Sequence, residues 1–135
     1  QIAHLRERQG GRAVLWDLDP VEATYAVAQR LAALFDEVVL LSPRESIAQD
    51  CSLVTRQSVR RRMHQAGVRV VTEVLPRWRE DFEDSLALDL QSIHGGDAGR
   101  IEDVALLAYA TPRLPNDALW APLSAAGLPL RRIGD

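Results

Sequence analysis

The order of the apolar runs constrains this chain more than any other feature. Three largely apolar segments, Ala13–Trp16, Glu37–Pro43 and Val68–Val74, alternate with two stretches of helical spacing. A strand–helix–strand–helix–strand order argues for an α/β fold, a parallel sheet joined by crossover helices. Asp19-Pro20 predicts a helix start, because Asp caps free amides and Pro suits the first helical position. That helix is expected to run to about Phe35, with Tyr25, Ala28, Leu31, Ala32 and Phe35 at helical spacing. Pro43 stops the second strand, and Arg44–Leu53 reads as a polar connection. Val54–Gln65 is the second helix, with Gly67 placed for a left-handed cap. Val68–Val74, rich in β-branched residues, is the third strand. Gln1–Gly11 is charged and broken by Gly10-Gly11, which predicts a short helix ending in a turn.

Beyond residue 75 the pattern changes. Pro76–Ser85 is polar and acidic, and Leu86–Gln91 alternates apolar and polar as a half-exposed strand does. His94–Gly99 reads as a hairpin loop, and Arg100–Glu102 as the returning strand. Val104–Ala110 is a buried strand, followed by Thr111–Leu119, a short helix and Leu130–Asp135. The expected fold is therefore a three-layer, Rossmann-like domain: a parallel sheet, two helices, and a β-meander over one side.

Composition removes several functions. The chain has 135 residues, 47% of them hydrophobic, enough for one domain with a real core. Net charge is −3, so nucleic acid is not an expected partner. All 16 basic residues are Arg, which removes Schiff-base lysines and the lysine-bearing phosphate loop. Cys51 stands alone, without a neighbouring His, and reads as an inert thiol; no internal disulfide or cysteine metal cluster can form. His4, His64 and His94 lack a second ligand at helical spacing, so no metal is expected. Without an apolar run long enough for a bilayer or a visible signal peptide, no membrane contact and a cytoplasmic location are expected. Gln1 at one end and Gly134-Asp135 at the other read as domain boundaries within a longer protein.

Taken together, Ala13–Asp19, Glu37–Pro43, Gln65–Thr72 and Thr111–Asp135 carry a resemblance in their order and spacing. The chain resembles the nucleotide-domain portion of bacterial NADH:flavin oxidoreductases of the trimethylamine dehydrogenase and 2,4-dienoyl-CoA reductase type, a group that includes N-methylproline demethylase-like members. The resemblance covers nearly the whole chain. It implies the pyridine-nucleotide domain of a two-dinucleotide-fold flavoprotein. It also implies a parent enzyme with an FMN barrel, a 4Fe–4S cluster, a neighbouring domain for FAD or ADP, and possible use of NAD(P)H. The expected partners are those remaining domains, with a homo-oligomer also possible. In such proteins the Gly-Asp after the last strand faces the flavin-type dinucleotide of the neighbouring domain, so the resemblance implies cofactor-binding roles for Gly134 and Asp135.

The first turn argues against a bound nucleotide. A phosphate-binding turn needs glycines that let the backbone approach the diphosphate at a helix N-terminus. Here it reads Asp17-Leu18-Asp19-Pro20-Val21-Glu22-Ala23-Thr24-Tyr25. Pro20 removes an amide donor. Thr24 and Tyr25 stand where family members often have glycine, so their side chains are expected to fill the phosphate space. Asp17, Asp19 and Glu22 add negative charge, and like charges ~4 Å apart repel by about 1 kcal/mol even at the dielectric of water. The nucleotide site is therefore expected to be vestigial, with no turnover by this domain alone. Ser42 and Arg44 sit where such folds read the adenosine ribose or its 2′-phosphate. Arg44 has the charge to favour a phosphate; an exposed arginine after Pro43 is the simpler account.

Two other readings compete. Asp17-Leu18-Asp19 after a strand imitates the Asp-x-Asp of haloacid-dehalogenase phosphatases, with Ser42 as a phosphate-holding residue and magnesium as cofactor. Against it, the chain has no Lys, Ser42 comes only one β-α unit after the aspartates, too soon for that family, and Pro20 replaces a small glycine. The other reading is a non-catalytic interaction scaffold, in which Trp78 or Trp120 plugs an interface. Arg60-Arg61-Arg62 points around a helix and reads as a solvated surface.

Overall fold

The computed structural model describes residues 6–112, 118, 120–127 and 129–131. Its elements run β1 (Arg12–Asp17), α1 (Glu22–Ala32), β2 (Glu37–Leu41), α2 (Leu53–Gln65), β3 (Arg69–Val71), β4 (Val74–Arg77), α3 (Phe82–Ser85), β5 (Leu88–Ser92), β6 (Asp97–Ile101), β7 (Val104–Ala110) and α4 (Trp120–Ala125). Strands β3-β2-β1-β7 form a parallel sheet, and β4-β5-β6 an antiparallel one. No helix among the described residues is long and apolar enough to cross a membrane.

Strand alternation explains the layers. Successive side chains on a strand point to opposite faces. Ala13, Leu15, Val38 and Leu40 pack with Tyr25, Ala28 and Leu31 of α1 and Val59 and Met63 of α2. Val14, Val39 and Leu41 pack the other way, with Val74, Leu88, Leu90 and Ile101 of the meander. The continuous apolar runs of β1 and β2 thus serve two cores at once, as strands covered on both faces do.

The expected single strand Val68–Val74 is two strands in different sheets. The break falls at Thr72-Glu73, where Glu73 takes a left-handed φ of 59°. Ser42 is the pivot: its amide donates to the Val71 carbonyl at 2.9 Å, and its own carbonyl accepts the Val74 amide at 3.2 Å. The chain returns from β6 to β7 through a second left-handed residue, Asp103, at φ 56°. Nothing in a β-branched run signals such a turn, because the hydrogen bonds that make it come from a distant strand.

Other boundaries also move. Of the short helix expected within residues 1–11, residues 1–5 lie outside the described residues and 6–9 are irregular; at the expected turn Gly11 has φ 78° and its amide is held by Asp36 Oδ2 at 3.0 Å. Helix α1 starts at Glu22 rather than at Asp19-Pro20, and Val21 is its N-cap without a side-chain cap. It ends at Ala32, short of Phe35. Strands β5 and β6 meet across a tighter hairpin than expected, with β6 beginning at Asp97.

The end of α2 matches expectation closely. The Gly67 amide donates to the His64 carbonyl at 3.1 Å and the Val68 amide to that of Met63 at 3.0 Å, the two bonds of a Schellman cap. Gly67 has φ 68°, and a Cβ there would meet nothing within 4 Å. Strain alone therefore sets the cost of a side chain. Gly67→Ala is expected to destabilise the chain by roughly 1 kcal/mol in denaturant unfolding; an unchanged midpoint would contradict the cap.

Candidate functional site

Parallel α/β sheets place ligands beyond the carboxyl ends of their strands, where the connections diverge. Here β1 leads through α1 to β2 on one side and has β7 on the other. At this edge lies a cleft of about 200 Å³ lined by residues including Leu15, Val21, Thr24, Val27 and Tyr109. Of the residues singled out in the sequence, Asp19 and Thr24 line it; Asp17 and Arg44 meet the same turn from the core and from the β2 side.

Asp17 follows Leu15 in alternation and so enters the helix-side core, where it is fully buried. Its Oδ2 accepts the Tyr25 hydroxyl at 2.9 Å, and that hydroxyl accepts the Ala48 amide at 2.6 Å. Its Oδ1 has no partner among the described residues. Burial raises the Asp17 pKa above its ordinary 3.8; the Tyr25 hydrogen bond and the Arg44 charge oppose that, while Asp19 and Asp50 add to it. Burial, then the Asp17 charge, also pushes the Tyr25 phenol up. Tyr25 therefore does not fill the cleft. It points under α1 and braces the β2–α2 connection, where Ala48 sits at a left-handed φ of 57°.

Thr24 is buried, and its Oγ1 donates to the Asp19 carbonyl at 2.6 Å. Ser42 is fully buried, with its Oγ accepting the Arg44 amide at 3.3 Å. Arg44 is half-buried, not free in the loop: Nη1 donates to the Asp17 carbonyl and Nη2 to the Leu18 carbonyl, each at 3.2 Å. Arg56 of α2 fastens the same connection through the Ala48 carbonyl at 3.3 Å and the Gln49 carbonyl at 2.8 Å, a role its place in the helix did not suggest. Gly134 and Asp135 lie outside the described residues, as does His4.

The turn uses its own donors. The Leu18 amide donates to Ala110 at 3.0 Å, Val21 to Asp19 at 2.8 Å and Thr24 to Val21 at 3.1 Å; Pro20 has no amide. At the start of α1, Glu22 supplies an acidic side chain and pairs with Arg62 at 2.8 Å, joining the two helices. An aspartyl nucleophile needs an accessible carboxylate; Asp17 is fully enclosed, with one oxygen engaged by Tyr25. Among the described residues no three of His, Cys, Asp and Glu are grouped to hold a metal.

Elsewhere, Trp78 is largely exposed and stacks against Phe82 with centroids 5.2 Å apart. The Cys51 thiol donates to the Pro20 carbonyl at 3.6 Å. His94 meets Glu73 at 3.0 Å on the surface. Of the arginine run, Arg60 bonds the Ser46 hydroxyl while Arg62 turns to Glu22, so the three do not share a face.

Comparison with known proteins identifies the fold. No protein-family model matches the chain, and no curated protein matches it in sequence. Solved structures do match. The 6-hydroxypseudooxynicotine amine oxidase of Pseudomonas geniculata N1 superposes with a TM-score of 0.74 at 20% identity, over 90% of this chain and 18% of its own. Histamine dehydrogenase from Rhizobium sp. 4-9 gives 0.75 at 16% identity, over 93% of this chain and 18% of its own. An engineered water-forming NADPH oxidase bound to NADPH gives 0.59 at 11% identity, over 84% of this chain and 23% of its own. The chain thus has a fold found within oxidoreductases, and spans under a fifth of the length of the first two.

The buried pair makes a prediction for stability. With a raised native pKa, Asp17 releases its proton in the unfolded chain first, so its contribution to stability falls as pH rises above 3.8 toward the native value. Asp17→Asn keeps an acceptor for Tyr25 and removes that dependence. Its stability relative to the parent chain is expected to rise between pH 3.5 and 7, by denaturant unfolding; a constant difference would contradict the burial penalty. Tyr25→Phe leaves Asp17 Oδ2 and the Ala48 amide without this partner and is expected to cost about 2–3 kcal/mol in the same assay; a loss under 0.5 kcal/mol would contradict the bracing role.

Proposed function

We propose that this chain is the nicotinamide-nucleotide-type domain of a flavin-dependent oxidoreductase related to trimethylamine dehydrogenase and 2,4-dienoyl-CoA reductase, and that its dinucleotide site is vestigial. The first half rests on the layout: a parallel sheet interrupted by a β-meander before its last strand, matched over most of the chain by an amine oxidase and a histamine dehydrogenase. In this reading the parent enzyme carries FMN, a 4Fe–4S cluster and FAD or ADP in its other domains. Those domains are the partners of this one, Gly134 and Asp135 face the neighbouring dinucleotide, and the assembly is a homo-oligomer. This domain alone does no chemistry.

The second half rests on one observation above all: the amides of Leu18, Val21 and Thr24 in and beside the β1–α1 turn are already bonded within the protein, and Pro20 has none. A diphosphate is held by free backbone N–H groups at a helix start. Leu18, Val21 and Thr24 donate within the protein, and Pro20 cannot donate. Glu22 places a carboxylate in the first turn of α1, where the helix dipole would otherwise favour the anion. Ser42 and Arg44, the candidates for the ribose and its phosphate, are turned inward. The residues present are a poor fit for NAD(P)H.

The expected outcome of a calorimetric titration of the chain with NADH and with NADPH is no saturable heat below about millimolar ligand, near the weak end of specific binding. Sub-millimolar binding of either would overturn the vestigial assignment while leaving the fold assignment intact.

A further inference from the structure

We propose that Arg44 is a positioning residue whose guanidinium is the built-in ligand of the β1–α1 turn, held by a carbonyl cradle of the opposite polarity to a phosphate-binding turn. The inference rests on the reading of that turn as one that takes no diphosphate, and goes beyond it by naming what the turn does hold. Four successive carbonyls each meet a donor. Asp17 and Leu18 accept from Arg44, Nη1 and Nη2 at 3.2 Å each. Asp19 accepts from Thr24 Oγ1 at 2.6 Å and from the Val21 amide at 2.8 Å. Pro20 accepts from the Cys51 thiol. The first two of these carbonyls converge on the one guanidinium, where an anion-binding loop would instead converge N–H groups.

The electrostatics agree with the geometry. The buried Asp17 carboxylate lies under the same turn, and Asp19 and Asp50 add negative charge to its surroundings, with Arg44 the cation acting on it. Arg44 reaches the cradle from a fixed root. Its amide is bonded to Ser42 Oγ at 3.3 Å and its carbonyl accepts the Glu73 amide at 3.1 Å, at the point where the chain leaves the parallel sheet for the meander. A guanidinium is a planar fork that spans two neighbouring acceptors; an ammonium is a point charge that cannot reproduce the spacing.

Thermal unfolding of the chain as Arg44→Ala and Arg44→Lys tests this, with about 10 mM methylguanidinium as the probe, a concentration at which weak site binding shifts stability by mass action. The expected result is a midpoint lowered by roughly 5 °C in Arg44→Ala. Methylguanidinium recovers part of that loss in Arg44→Ala, none is gained by the parent chain, and Arg44→Lys stays low. Parent-like stability in either variant, or a loss that methylguanidinium does not recover, overturns the inference. NADPH titrations of the parent and Arg44→Ala separate this from the reading it rests on. Binding by the parent that Arg44→Ala abolishes makes Arg44 a phosphate reader and overturns both; binding unaffected by the substitution overturns the vestigial site alone. Should Arg44→Ala fail to fold, side-chain ¹⁵N NMR of the parent chain still decides. Separate Nη1 and Nη2 resonances for Arg44 are expected, and one averaged resonance would overturn the cradle.

Discussion

The structure is organised around a carboxylate in the wrong place for a surface residue. Alternation along β1 sends Ala13 and Leu15 toward the helices, and the next residue in that series is Asp17. A buried carboxylate needs hydrogen bonds and a counter-charge. The Tyr25 hydroxyl supplies the bond and Arg44 the charge. Meeting those two needs draws together the start of α1, the β2–α2 connection and the end of β2, the three segments that in a nucleotide-binding domain would surround the ligand. Here they surround side chains of the same chain.

The second organising constraint is the exchange between two sheets. The parallel sheet buries one face under helices and the other under the meander, so the chain must leave it after β3 and re-enter at β7. Both crossings use a left-handed residue that is not glycine, Glu73 and Asp103. A non-glycine residue in that conformation costs of order 1 kcal/mol, which the packing of Val74, Leu88, Leu90 and Ile101 against Val14, Val39 and Leu41 exceeds. Ser42 belongs to this joint. Its backbone bonds both Val71 and Val74, so its burial reflects the crossing between layers.

Much of this was legible in the residues. The strand β7 falls on Val104–Ala110 as expected, α2 lies within one residue of its predicted start, and Gly67 forms the cap foreseen for it. Those features depend on local pattern. The glycine-free turn was legible too, since Pro20 and Thr24 announce their chemistry directly. What escaped notice depends on partners far apart in sequence. Glu73 breaks a β-branched run because Ser42 bonds the backbone on either side of it and the Arg44 carbonyl accepts its own amide. Asp19 looked like a helix cap, but its carbonyl takes Thr24 and Val21, which delays the helix to Glu22. Arg44 looked either free or phosphate-directed, and only the folded turn brings its guanidinium to two carbonyls 26 and 27 residues away. Tyr25 shows the same limit: its helical spacing marked it as core, but its hydroxyl partners could not be read from spacing.

The account turns on whether the bonded amides of Leu18 and Thr24 are closed to a ligand. Residue-resolved hydrogen exchange of the chain, without any nucleotide, measures this directly. Slow exchange at Leu18 and Thr24 is expected, with faster exchange at Ala23 in the unbonded first turn of α1. Leu18 and Thr24 amides that exchange as freely as Ala23 would show donors open to a ligand and would contradict the central claim.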